Sequence, residues 1–98
     1  MDVEYWLNGI RFEWDRRKAA ANLRKHGVGF KIACEVFFDP FVCLVDSEVV
    51  DGEERESVIG MTGGWDLLVV AYVDRVDSIR LISARPATRK GRLAYEDQ

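Results

Sequence analysis

The chain has 98 residues, 48% hydrophobic and 32% charged, with 14 basic against 17 acidic side chains for a net charge of −3. That length supports one buried core and not two, so residues 1–98 are expected to form a single globular domain. A negative chain is a poor nonspecific DNA binder, Leu67 to Val73 is the longest apolar run and is too short to cross a bilayer, and two cysteines with one histidine offer no zinc spacing.

The first element is a hairpin. Val3 to Leu7 and Ile10 to Trp14 flank Asn8-Gly9, a dipeptide that accepts the two positive φ angles of a type I′ turn. A two-residue loop sets Leu7 opposite Ile10, Tyr5 opposite Phe12 and Val3 opposite Trp14, which places all six on one face. Asp15 then caps a helix whose small and apolar positions, Ala19, Ala20 and Leu23, lie among Arg16, Arg17, Lys18, Arg24 and Lys25. His26-Gly27 closes it, Gly27 supplying a left-handed residue after a basic last turn.

Phe30, Ala33, Cys34 and Phe37 recur at helical spacing, which predicts a second short helix ended by Asp39-Pro40. Cys34 and Cys43 each lie in apolar stretches and are read as reduced, buried thiols. Strands are predicted over Phe41 to Val45, Arg55 to Met61, Leu67 to Val73 and Ile79 to Ala84, with Asp46 to Glu54 as an acidic, solvated connection. The links Gly63-Gly64 and Asp74 to Asp77 are too short for parallel crossovers, so these strands should run antiparallel. A last helix begins after Pro86, with Thr88 as its N-cap. The expected fold is α+β: an antiparallel sheet with an N-terminal hairpin, two N-terminal helices packed on it and a C-terminal helix on the same side.

Charge is unevenly spread. Arg80, Arg85, Arg89, Lys90 and Arg92 fall in one window with no acid, and five more cations lie between Arg16 and Lys25. Arginine forks pair bidentately with phosphate, so a local RNA-binding cleft is one reading; the solvated face of two helices is the other.

The order of short motifs carries more information. Phe12-Glu13-Trp14-Asp15, Lys25-His26-Gly27-Val28, Val36-Phe37-Phe38-Asp39, Glu54-Arg55 with Ile59-Gly60, and Ser83-Ala84-Arg85 followed by Ala87-Thr88-Arg89 together resemble the BrnT family of toxins, over nearly all of the chain from Phe12 onward. The resemblance implies a compact relative of RelE-type ribonucleases: a type II toxin that inhibits translation in the cytoplasm by cutting RNA without metal or cofactor. In that chemistry the ribose 2′-hydroxyl attacks the adjacent phosphate, leaving a cyclic phosphate and a free 5′-hydroxyl. The implied partner is a BrnA-like ribbon-helix-helix antitoxin, with two toxin copies on an antitoxin dimer.

Such a reaction needs a base, cations for the phosphoryl charge and an acid. His26 is a candidate for proton transfer, being the only side chain whose ordinary pKa lies near neutrality, and equally a helix C-terminal cation. Glu54 is a candidate base and Arg55 a phosphate clamp, unless they form a surface ion pair. Arg85 and Arg89 belong to the family-like signature and are the expected transition-state stabilisers; Lys25, Arg80 and Tyr95 are expected RNA contacts, with solvation, a cross-strand ion pair and helix packing as their respective structural alternatives. Trp6 and Trp65 are candidate antitoxin contacts. Pro86, Gly91, Leu93 and Glu56 depart from the family pattern and point to attenuated activity or a narrower substrate. The competing reading is a noncatalytic module that docks an antitoxin for transcriptional autoregulation.

Overall fold

A computed structural model describes residues 1–98. Strands β1 (Asp2–Leu7) and β2 (Ile10–Asp15) form the expected hairpin, with Asn8 at φ 49° and Gly9 at φ 81° and with Leu7, Tyr5 and Val3 opposite Ile10, Phe12 and Trp14. Helix α1 (Arg16–His26) starts where the Asp15 side chain accepts from the Lys18 amide and stops at Gly27, whose φ is 70°. Helix α2 (Phe30–Ala33) is shorter than its apolar spacing suggests. The chain tightens into a 3₁₀ turn over Cys34–Phe38 before Asp39 leaves the helical region.

Four strands follow: β3 (Cys43–Val50), β4 (Glu53–Met61), β5 (Leu67–Asp74) and β6 (Ile79–Pro86), and then α3 (Arg89–Glu96), capped by Thr88 Oγ1 on the Gly91 amide. The acidic segment is not a loose connection. It is the tip of a long β3–β4 hairpin that turns at Asp51 (φ 52°) and Gly52 (φ 76°). Its strands alternate no apolar face, which hid them: Val49 is exposed and most of its neighbours are acids or serine.

The sheet order is β1-β2-β6-β5-β4-β3. All pairs are antiparallel except β2–β6, which is parallel, so the sheet is mixed and the expectation of a purely antiparallel one is corrected. The short-link argument governs only β3 to β6. After β2, α1 and α2 carry the chain across one face to the far edge, and the hairpin is left beside β6, its neighbour in space and not in sequence.

The core lies between this face and α1, α2 and the 3₁₀ turn, where Phe12, Trp14, Phe30, Cys34, Val36, Val58, Val70 and Leu81 are buried. Gly60 is forced there by close approach: a Cβ would sit 2.8 Å from the Val36 carbonyl oxygen. Helix α3 packs on the opposite face, not beside the other helices, with Gly91 against Ile59, whose side chain points away from the core. On α1 the buried residue is Asn22, while Leu23 is exposed. Beyond Arg80, β6 has no β2 residue to pair with, and the Asn22 carboxamide fills that place by bonding both the N–H and the C=O of Ala84.

Candidate functional site

The face turned away from the core is built in cross-strand rows. Cys43, Ile59, Val69 and Arg85 form one, from β3 to β6, and Asp46, Ser57, Ala71 and Ser83 the next. By alternation Arg55, opposite Glu48, and Arg80, opposite Val73, extend the same face. Small side chains in the second row leave its middle low, and α3 rises along one end. The result is a concavity of about 580 Å³ whose polar lining is Asp46, Ser57, Arg85, Thr88 and Lys90 over a floor of Ile59, Val69, Gly91 and Ala94.

Two cations therefore face one carboxylate and two hydroxyls in this hollow. Neither Arg85 nor Lys90 takes part in any of the molecule's ion pairs, so both charges are free to meet an anion. The Asp46 carboxylate accepts from the Ser47 amide at 2.9 Å.

A second cleft, of about 370 Å³, lies on the other side of the β6–α3 junction. Pro86 and Ala87 line it, with His26 and Gly27 from the end of α1, Trp65 and Asp66 from the β4–β5 turn and Arg92 from α3. Arg85 and Thr88 thus face one hollow and Pro86 and Ala87 the other, making the junction a shared wall.

The sequence-derived candidates are distributed over this frame as follows. Arg85 lines the first concavity, while Arg89 is exposed on α3 and lines neither hollow; Lys90 stands in the first and Arg92 in the second. His26 lines the second cleft, and Lys25 beside it is exposed and lines neither. Arg55 is half-buried on the open face, and its Nε lacks a hydrogen-bond partner. Glu54 is exposed in the β3–β4 hairpin and, one residue from Arg55, points to the opposite face.

Arg80 is engaged. Its guanidinium reaches both Asp2 oxygens at 3.1 and 3.2 Å and Glu13 Oε2 at 3.3 Å, and Glu13 Oε1 accepts from Ser78 Oγ at 2.7 Å. The hydrogen bond to Asp2 raises the pKa of Arg80 and lowers that of Asp2. This network clamps β1 and β2 onto β6.

Tyr95 is engaged as well. Its hydroxyl donates to Asp39 Oδ2 at 2.5 Å, and this bond pushes its pKa up to about 12. Burial works to raise the Asp39 pKa, but hydrogen bonds from Tyr95 and from the Phe41 and Met61 amides outweigh it and hold the carboxyl below its ordinary value. Tyr95 thereby fastens the end of α3, a helix without a fully buried residue.

The residues that sequence reasoning passed over are Asp46, Ser57, Lys90 and Arg92. Asp46 was hidden in a segment read as a loop, and Ser57 carries no signal of its own. Lys90 and Arg92 lay within the recognised basic window, but only the capped phase of α3, starting at Thr88, tells which cation meets which hollow.

A family model described as the ribonuclease toxin BrnT of type II toxin-antitoxin systems matches residues 14–91. Among solved structures, the crystal structure of the Brucella abortus ribonuclease toxin BrnT is similar at a TM-score of 0.52 and 21% identity, covering 78% of this chain and 94% of that one. Comparison with curated proteins gives no significant match.

Proposed function

Because this chain belongs to the BrnT family of ribonuclease toxins of type II toxin-antitoxin systems, we propose that it cuts RNA in the concavity between α3 and the open face of the sheet. The observation that carries this reading is the pair of unengaged cations, Arg85 and Lys90, set over a floor of small side chains and opposite the Asp46 carboxylate. A phosphodiester in that hollow has two positive charges on one side and a proton acceptor on the other.

The reaction is a transesterification that needs no metal. The 2′-hydroxyl gives its proton to Asp46 and its oxygen attacks the neighbouring phosphorus; the bond from phosphorus to the 5′-oxygen breaks, leaving a 2′,3′-cyclic phosphate. Arg85 stabilises the pentavalent state, since its planar fork can meet two equatorial oxygens at once. Lys90 shares that charge and gives a proton to the departing 5′-oxygen, a step closed to a guanidinium that does not deprotonate in proteins. Arg55, half-buried on the same face, continues the phosphate track along the sheet.

The remaining candidates act farther out. Arg89 and Lys25 meet flanking phosphates from exposed positions, and His26 acts from the second cleft. Glu54, on the other face of the sheet, is left outside the reaction, and Asp46 takes the role of proton acceptor. Tyr95 and Arg80 support the site by holding α3 and β6 where the chemistry requires them, and contact RNA at its margin.

A type II toxin is held in check by a protein antitoxin, and here the partner is a BrnA-like ribbon-helix-helix protein whose dimer carries two toxin copies, in the cytoplasm where the RNA is. The test is direct. Incubated with RNA in the presence of a metal chelator, the purified protein should release fragments ending in 2′,3′-cyclic phosphate and 5′-hydroxyl, and equimolar antitoxin should stop it. Intact RNA at high protein concentration would instead favour the noncatalytic reading, an antitoxin-docking module acting in autoregulation.

A further inference from the structure

Trp65 is the most unusual large side chain in the molecule. It is 83% exposed, and its backbone is left-handed at φ 68°, a conformation disfavoured for a bulky residue. The turn that presents it is tightly held: buried Thr62 donates its amide to Asp66 O at 2.9 Å, accepts the Trp65 amide at 3.1 Å and takes the Asp66 amide on Oγ1 at 3.1 Å, while Glu35 accepts the Gly63 amide at 2.9 Å. The indole contributes nothing to the core, yet its backbone is fixed at the mouth of the second cleft.

We propose that this cleft is a subsite for one unpaired nucleotide of the RNA, with its base stacked on Trp65 and its phosphate held by Arg92. Three features favour a nucleotide. The indole is a flat, rigid stacking surface, and every base has a π face to set against it. Arg92 enters none of the molecule's ion pairs, and His26 adds hydrogen-bonding capacity on the same wall. At about 370 Å³ the space suits a single small ligand and not a helix. Asp66 also lines the cleft and repels phosphate, so it belongs at the base end, accepting from an exocyclic amino group.

The subsite rests on the reading of the chain as an RNA-cutting enzyme and extends it. The hollow that holds Arg85 lies across the wall formed by residues 85–88, so a strand passing over that wall puts one phosphate before Arg85 and the adjoining nucleotide against Trp65. Only a single strand can be splayed in this way, since a paired base keeps its faces inside the helix.

The experiment uses a short fluorescein-labelled 2′-O-methyl RNA, which lacks the attacking hydroxyl and so reports binding apart from cleavage. Its anisotropy is measured with the intact protein and with Trp65→Phe, Trp65→Gly and Arg92→Gln. Trp65→Gly removes the ring and relieves the left-handed backbone, so weakened binding cannot be attributed to a strained fold. Loss of one stack weakens binding roughly tenfold, with Trp65→Phe retaining most of the affinity and Arg92→Gln losing affinity more at low salt than at high. Equal affinity of Trp65→Gly and the unmodified protein overturns the proposal. Weakened antitoxin affinity with unchanged oligonucleotide affinity also overturns it, assigning the indole to a protein contact. Failure of the unmodified protein to cut ordinary RNA while Trp65-dependent binding persists would remove the catalytic reading and leave the subsite standing.

Discussion

Asn22 on α1 grips the peptide of Ala84 on β6 from both ends, donating Nδ2 to the carbonyl oxygen at 2.8 Å and accepting the amide on Oδ1 at 3.0 Å. A second Nδ2 bond, to Val28 O at 3.0 Å, ties in the segment between α1 and α2. One buried carboxamide thus sets the height of α1, the end of β6 and the place where Arg85 leaves the sheet. Removing it in Asn22→Ala strands three buried backbone groups and should cost about 2–4 kcal/mol in urea unfolding. Asn22→Asp keeps the shape but sets a carboxylate against two carbonyl oxygens, so its loss should be greater at neutral pH than near pH 4, where protonation restores a donor.

Gly60→Ala should be destabilising even though alanine suits a strand no worse than glycine. Its Cβ would lie 2.8 Å from Val36 O and 2.9 Å from Val36 Cβ, against the backbone of the 3₁₀ turn, which cannot swing aside. Overpacking of this kind costs about 1–3 kcal/mol, measured as a lower urea midpoint at unchanged slope. A midpoint equal to that of the unmodified protein would show the turn free to move.

The Tyr95–Asp39 bond makes part of the stability titrate at high pH. Tyr95 has a folded-state pKa raised to about 12 from the ordinary 10.0, so its contribution is complete below pH 10 and is lost as pH rises toward 12. Asp39, held below its ordinary value of 3.8, gives the complementary loss as acid protonates it. Tyr95→Phe should abolish the alkaline part of the profile and cost about 1 kcal/mol at pH 7, a figure kept small because the group is partly exposed. Faster hydrogen exchange confined to α3 in this variant would locate the effect.

The two thiols should differ sharply. Burial pushes Cys34 up to about 12, leaving almost no thiolate at neutral pH, whereas Cys43 is half-buried at the start of β3. Ellman's reagent should therefore titrate one thiol in the native protein and two in guanidinium chloride. Two native equivalents would place Cys34 within reach of solvent.

Much of the fold was legible where local chemistry is decisive. Asn8-Gly9 specified the β1–β2 register, Asp15 and Gly27 the ends of α1, and Thr88 the start of α3, because each acts on atoms within a few residues of itself. The parallel β2–β6 pair was not legible, since it depends on where α1 and α2 carry the chain. The strands around Asp46 to Glu54 were hidden because both faces of that hairpin meet solvent. The site shows the same division: Arg85 could be picked out by its motif, but the wall that separates its hollow from that of His26 exists only once β6 and α3 are joined at Pro86.

The most direct measurement is single-turnover cleavage of RNA by Arg85→Ala, with circular dichroism melting run on the same sample. Arg85 is exposed and free of ion pairs, so its removal should leave the melting temperature unchanged while lowering the rate by about 10²- to 10³-fold. A folded Arg85→Ala protein that cuts RNA as fast as the unmodified one would contradict the placement of the reaction in this concavity.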